Sequence, residues 1–322
     1  MTASLLQGLR APILQAPTGS IAGPELAEAV SSAGGLGAMG LTWTAPEVAA
    51  EAVRRVRNAT PNPFLVNFAL AFPPLALEAA LKAGAPVVSF SWGDPLPFLS
   101  LCRRYGAIVG AQASDLPDAD YLLSLDPDFL VCQGTEAGGH VQASDSLWNL
   151  LPEMRALAGK VPVIAAGGLS TGEDIARAMR LGAAGAMLGT RYVATIESRA
   201  HPYYKARLVS AQGTDTELTC CFDGGWPAAH RVLRNSTLNT WKAAGSPPRG
   251  SRPGEADVVA YSAAGEPIAR YEDIAPREGM SGAVSEMALY AGTGCGAITE
   301  IARAGELTLR LSAELFAALS RS

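Results

Sequence analysis

Short apolar runs separated by amphipathic stretches dominate the first 190 or so residues of the chain. Eight runs, at 11–15, 37–40, 64–67, 86–90, 107–111, 128–132, 161–165 and 186–188, are continuously apolar apart from single polar residues such as Gln15, Asn67, Ser89 and Asp128, rather than apolar at alternate positions. That pattern belongs to strands covered on both faces, as in a parallel sheet flanked by helices. The stretches between them carry helix signals. Thr44-Ala45-Pro46-Glu47 reads as a capping box with proline in the first turn, after which Val48, Ala52, Val53 and Val56 share one face. Ser170-Thr171-Gly172-Glu173 repeats the logic, with Ile175, Ala178 and Met179 inward, Arg177 and Arg180 outward, and Gly182 as the terminating glycine.

Eight strands alternating with helices predict an α/β fold, a (β/α)8 TIM barrel, whose site lies at the C-terminal ends of the strands. A doubly wound open sheet would carry G-x-G-x-x-G after its first strand, and that turn here reads Ala16-Pro17-Thr18-Gly19-Ser20. The barrel is expected over 1–212, completed by C-terminal helices within 283–322. Residues 213–282, richer in Pro, Gly, Ser and charge, read as an appended segment or small subdomain after strand eight, near the barrel mouth, with a mobile loop at 245–254. A helix-like pattern returns over 283–304, and a last short helix is expected at 312–319.

Composition narrows the function. Hydrophobic residues make up 48% and charged ones 17%, enough for a sizeable core. The net charge of −5 and the lack of a basic run argue against a nucleic-acid binder, which needs clustered Lys and Arg. Residues 1–10 lack a signal-peptide pattern, and no apolar segment reaches the roughly 18 residues of a membrane span. The five cysteines have neither framework nor zinc spacing, which suits reduced thiols in a cytoplasmic protein. The oligomeric state stays open, a homodimer included.

Two turns look built for a phosphate. Ala166-Gly167-Gly168-Leu169 follows the seventh strand and Gly189-Thr190-Arg191 the eighth, the two loops that commonly bind phosphate in such barrels. The alternative is that these glycines only make tight turns. Carboxamides stand at other strand ends: Asn67, Gln112 and Gln133 each offer a donor and an acceptor to a heteroaromatic ring edge. Gln112 reads equally well as a turn residue in water. After the run 128–132 comes Gln133-Gly134-Thr135-Glu136-Ala137-Gly138-Gly139-His140, a glycine-rich loop ending in one of only three histidines. His140 is read as catalytic or as structural, and Glu136 as its orienter or, more simply, as a brace for the loop. His201 is expected to pack where a helix starts, with Glu197 and Lys205 as surface or interface charges, and His230 to lie in the irregular segment. No two histidines have metal-ligand spacing.

The loop 133–140 resembles the one that carries the active-site histidine in nitronate monooxygenases. The resemblance extends from about residue 12 to residue 205 and includes Ala16-Pro17, Val66-Asn67-Phe68, Ala165 to Gly168 and Gly185 to Ala194, with Tyr290-Ala291-Gly292 resembling the start of the family's C-terminal helix. It implies non-covalent FMN, its phosphate on Gly167, Gly168, Gly189 and Thr190, with Asn67, Gln133 and Gly138 along the ring and ribityl chain. Ala16, Pro17, Thr18, Gln112, Gly139, Ala166, Met187 and Leu188 complete the implied cofactor set. The implied reaction oxidises an alkyl nitronate such as propionate 3-nitronate with O2 to a carbonyl product and nitrite, with His140 as base or as anchor for the anion. Thr18 departs from the methionine usual beside the flavin, Gln142 from a glycine and Thr293 from a glutamine. All three positions border the implied pocket, so the physiological substrate stays open. A flavin-dependent enoyl-thioester reductase using NAD(P)H is the rival, and a flavin-binding interaction protein without turnover is the third reading.

Overall fold

The computed structural model describes residue 6 and residues 9–321, so the expectation for residues 1–10 lies largely outside it. Strands β1 (Ile13–Gln15), β2 (Gly37–Gly40), β3 (Phe64–Ala69), β4 (Val87–Ser91), β5 (Ile108–Ala113) and β6 (Phe129–Gln133) are followed by a two-residue strand, β7 (Gly139–His140), and then by β8 (Val163–Ala166) and β9 (Gly185–Leu188). All but β7 form one parallel sheet in the order β1-β9-β8-β6-β5-β4-β3-β2. Leu36 closes it against Ile13 and Gln15 through two 2.9 Å backbone hydrogen bonds. The eight strands are those the apolar runs predict, and the fold is the (β/α)8 barrel.

Both faces of each strand are apolar because each face has its own core. Leu14, Ala38, Leu65, Val87, Phe129, Val131, Ile164 and Met187 fill the barrel interior. Gly110 has no side chain because the Phe129 ring occupies that space; a Cβ there would lie 2.1 Å from the ring. The opposite faces pack against the helix layer of α1 (Pro24–Ser32), α2 (Pro46–Ala59), α3 (Leu77–Lys82), α4 (Leu96–Arg104), α5 (Leu116–Ser124), α6 (Leu147–Leu157), α7 (Gly172–Arg180) and α8 (Thr190–Val193). After α9 (Pro202–Ser210), a small antiparallel sheet joins β10 (Thr216–Thr219) and β11 (His230–Leu233) to β7. Then α10 (Ser236–Ala243) leads to β12 (Val258–Tyr261), β13 (Pro267–Ala269) and β14 (Ser281–Gly282). The chain ends in α11 (Ala304–Ser320), which packs on α7 and α1.

Local signals erred in several places. Thr44 does not cap α2; Ala45 takes the N-cap without a side-chain bond, and Val48 is 60% exposed while Ala49, Val53 and Val56 are buried. The second box is shifted by one residue, with Thr171 as N-cap and Asp174 as its reciprocal partner. Residues 283–304 hold two short 3-10 turns rather than a helix, and Tyr290 precedes one of them. The last helix is longer than 312–319 and starts at Ala304, where Glu197 accepts the first N–H at 2.8 Å. Of the two readings of Lys205, a surface charge is excluded: it is buried and donates to the carbonyls of Ser198 (2.6 Å) and Ile196 (3.3 Å). The loop 245–254 is anchored near its end, where Arg252 is buried and grips Asp223 through two bonds of 2.6 and 2.7 Å. Among the described residues no helix is long and apolar enough to cross a membrane.

Candidate active site

The C-terminal ends of the barrel strands open into a cavity of about 1330 Å³. Side chains alternate between the two faces of a strand, so those in register with the interior core point into the mouth at its upper layer. That rule puts Ala16, Asn67, Gln112, Gln133, Ala166 and Met187 on the cavity wall, where they join Pro17, Thr18, Gly138, Gly139, His140, Gly167, Gly168, Gly189 and Thr190. Leu188 falls on the other face. Its side chain packs outward with Tyr192, and only its carbonyl reaches the turn, accepting from Ala16 N–H at 2.9 Å.

The carboxamides form a relay. Gln112 Nε2 lies 3.3 Å from Gln133 Oε1 and 3.3 Å from Gln142 Oε1, and Gln133 Nε2 lies 3.4 Å from the His140 carbonyl. Gln112 is therefore half-buried and engaged, not a turn residue in water. Asn67 donates to the carbonyl and hydroxyl of Ser89 at 3.1 and 3.0 Å.

His140 lies on β7, directly across from His230 on β11. Its Nε2 lies 3.3 Å from Asp273 Oδ2, close enough for an ion pair but not aligned as a hydrogen bond. The phenol of Tyr290 donates to the other carboxylate oxygen. Burial, followed by the Asp273 charge, holds that phenol protonated well above its ordinary range, so it remains a donor. Trp226 stacks on the imidazole with centroids 4.0 Å apart and planes at 22°. Asp273, Tyr290 and Trp226 went unnoticed in the sequence as partners of His140, because they lie far along the chain in segments of irregular pattern. Glu136 is not the orienter. It accepts from Leu147 N–H at 2.9 Å and from the Ser146 hydroxyl, bracing the start of α6.

The other two histidines are structural, one of them in an unexpected place. His201 caps α9 by accepting from Tyr203 N–H at 3.1 Å. His230 is fully buried on a strand rather than in an irregular stretch. Its Nε2 accepts from Phe222 N–H (3.1 Å), so its Nδ1 carries the proton donated to Ala228 O (2.9 Å). Burial pushes its pKa down to about 4, the Ala228 bond opposing and the neighbouring His140 adding a little. It is a neutral prop under the catalytic candidate.

The two glycine turns meet the histidine loop. Gly167 and Gly168 have φ of +115° and +69°, left-handed geometry that glycine adopts without strain. Gly138 is required by packing: a Cβ there would lie 2.4 Å from Gly292 N. Thr190 Oγ1 accepts from that same Gly292 N–H at 2.9 Å, tying the turn after β9 to the 291–294 strap. Gly189 differs. Its φ is not in the left-handed region, and among the described residues a Cβ there would meet nothing closer than Thr18 Cγ2 at 3.5 Å. Its missing side chain leaves a gap that faces the cavity. On the same cavity wall, the buried hydroxyls of Thr18 and Ser170 have no partner among the described residues, a state that costs about 1–3 kcal/mol each unless a ligand supplies one. Two of the departures from the family pattern also bear on this region: Thr18 holds one of those hydroxyls, and Gln142 extends the carboxamide relay. Thr293 stands behind Gly168, where a Cβ would lie 2.8 Å from its Oγ1.

Glycine turns after the last two barrel strands, with a histidine–aspartate pair across the mouth, define a barrel enzyme acting on small molecules. The chain belongs to the nitronate monooxygenase family, whose model matches residues 3–80 and 75–314, and it is an oxidoreductase of that family. A Mycobacterium tuberculosis protein named (3aS,4S,5R,7aS)-5-hydroxy-7a-methyl-1-oxo-octahydro-1H-indene-4-carboxyl-CoA dehydrogenase is 32% identical over 249 residues, 76% of this chain and 69% of that one. FabK from Thermotoga maritima superposes with a TM-score of 0.81 and 26% identity, covering 99% of this chain and 97% of that one. The nitroalkane oxidase of Streptomyces ansochromogenes gives 0.78 and 27%, covering 99% of both chains.

Proposed function

We propose that the cavity holds FMN and that the enzyme oxidises alkyl nitronates with O2 to a carbonyl product and nitrite. The His140–Asp273 pair facing a glycine-walled cavity is the observation that carries this reading. The gap at Gly189 and the unpartnered hydroxyls of Thr18 and Ser170 suit the approach of a phosphorylated cofactor. Gly167, Gly168, Gly189 and Thr190 would take the phosphate, and Asn67, Gln112 and Gln133 the polar edge of the ring. Bound there, FMN would supply the electron-accepting chemistry that no side chain offers.

The protein's part is binding and proton control. With Asp273 on Nε2, Nδ1 of His140 is left to accept a proton. For a neutral nitroalkane it takes the α-proton and yields the nitronate, while Asp273 stabilises the imidazolium formed. For a nitronate supplied directly no α-proton is taken, and the ring, drawing its proton from solvent instead, holds the anion beside Asp273. Tyr290 fixes the carboxylate so that its other oxygen stays on the ring. Residues 213–282, which bring Trp226 and Asp273 to the mouth, act in this reading as a cap over the barrel.

A second reading, a thioester oxidoreductase using NAD(P)H, is favoured by the name of the carboxyl-CoA dehydrogenase relative. One experiment separates them. The purified protein is heated to release its ligand for mass spectrometry, then titrated anaerobically with propionate 3-nitronate and, separately, with NADH. Released FMN and flavin reduction by the nitronate alone are expected. Reduction by NADH with turnover of a crotonyl thioester, and none by nitronates, would overturn the first reading in favour of the second.

A further inference from the structure

Four aromatic side chains from four separate loops form one cluster on the cavity wall, two of them, Trp92 and Trp226, against His140. Trp43 follows β2, Phe72 follows β3, Trp92 follows β4, and Trp226 lies between β10 and β11. Ring centroids are 5.2 Å apart for Trp43 and Phe72, 5.4 Å for Phe72 and Trp226, and 4.6 Å for Trp92 and Trp226. Each of these pairs meets edge to face, and all four rings border the cavity that His140 borders.

Core packing does not account for the cluster. Trp43 is 59% exposed, so much of its indole surface gains nothing from burial in the fold. Trp92 sits at a φ of +62°, strained for a bulky residue, and such strain concentrates at functional sites. A small aliphatic nitronate would leave these rings without a role.

We infer that the substrate carries a flat apolar group, an aryl ring or a conjugated chain, next to its reacting carbon, and that Trp43, Phe72, Trp92 and Trp226 form the subsite for it. The inference rests on the reading of the His140 pocket as a nitronate-oxidising centre and specifies its substrate class. Trp226 stacks on the imidazole, so a group held against these rings lies beside the ring that handles the proton.

The test uses the FMN-loaded enzyme. Turnover is compared for the nitronates of phenylnitromethane and nitroethane. Calorimetry then measures binding of phenylacetate, cyclohexylacetate and acetate, carboxylates that need no turnover to be read. The aryl nitronate should show a kcat/KM roughly 30-fold or more above the ethyl one, and phenylacetate should bind about tenfold tighter than cyclohexylacetate, as ring–ring contact adds to area burial. In Trp43→Ala and Phe72→Ala both preferences should shrink toward unity. Equal binding of the flat and the puckered ring, or preferences unchanged in both variants, would overturn the subsite. Tighter binding of tetramethylammonium than of phenylacetate would also overturn it, in favour of a cation cage. Aryl-selective binding with no turnover of any nitronate would sustain the subsite while removing the proposed reaction.

Discussion

Asp273 Oδ2 lies 3.3 Å from Nε2 of His140, although the two residues come from distant parts of the chain. The carboxylate belongs to the 213–282 segment and the imidazole to a barrel loop. Packing of that segment over the mouth therefore completes the pair, and loss of either member should be felt where a proton moves.

His140→Asn should lower activity on neutral nitroalkanes roughly 10²-fold or more, the usual loss for a general base, with a smaller effect on pre-formed nitronates. Asp273→Asn should lower nitroalkane activity in the same direction by roughly tenfold, because the ring loses its charge partner but keeps its proton-accepting nitrogen. Flavin content, read from the absorbance of purified protein, should stay within error of the parent for both. Equal losses on both substrate classes in His140→Asn would assign the residue to binding instead.

Two glycines separate cofactor approach from folding. Gly189→Ala adds a methyl that meets only ordinary contacts at 3.5 and 3.6 Å in the protein. The apo form should therefore melt as the parent does, within about 0.5 kcal/mol, while FMN retention falls roughly tenfold or more. Gly168→Ala adds a methyl 2.8 Å from Glu136 Cβ and Thr293 Oγ1 at a φ of +69°. It should lose roughly 1–3 kcal/mol of stability as well as flavin. Denaturant melts of apo and loaded protein read both effects, and full FMN retention in Gly189→Ala would move the phosphate elsewhere.

His230 makes stability pH-dependent. Its folded pKa, pushed down to about 4 by burial, lies below the ordinary histidine value of 6.5, so unfolding takes up a proton between them. The contribution is present in full above pH 6.5 or so, shrinks as pH falls toward 4, and reaches on the order of 3 kcal/mol at its limit. His230→Gln should flatten the stability profile across that window, as measured by denaturant midpoints at a series of pH values. An unchanged slope would mean that other groups carry the acid sensitivity.

Arg252 anchors the loop after Cys221. It is buried, holds both oxygens of Asp223 and donates to the Cys221 carbonyl at 3.3 Å. Arg252→Ala should destabilise the protein by roughly 3 kcal/mol, since the partner carboxylate is left half-buried and unpaired. Hydrogen exchange should rise first at 221–228, the stretch that carries Trp226. Loss confined to the barrel helices would contradict this.

The barrel was legible because its information is local. Each run such as 128–132 or 161–165 is apolar on both faces, and each needs cover on both, so a parallel sheet between core and helices follows from the pattern. The strand-end positions of Asn67, Gln112 and Gln133 follow in the same way, since alternation along a strand is strict. By that alternation Leu188, one residue past Met187, turns away from the cavity. The cap at Thr44 and the helix over 283–304 failed for a different reason, because packing there overrules local propensity. The Tyr204 hydroxyl donates to the Tyr290 carbonyl, and Gly292 N–H donates to Thr190 Oγ1 at 2.9 Å. Held at both points, the strap stays in 3-10 turns.

What the sequence determined by itself is the barrel, its strand positions along the chain, the two glycine turns and the histidine at the end of its loop. All of these depend on periodicity or on residues within one turn of each other. Only the tertiary structure decided that Asp273 and Tyr290 serve His140, that His230 props it as a neutral ring, and that Trp43, Phe72, Trp92 and Trp226 share one wall. Those relationships join segments far apart in the chain, and no local pattern records which loops a closed barrel brings to the same mouth.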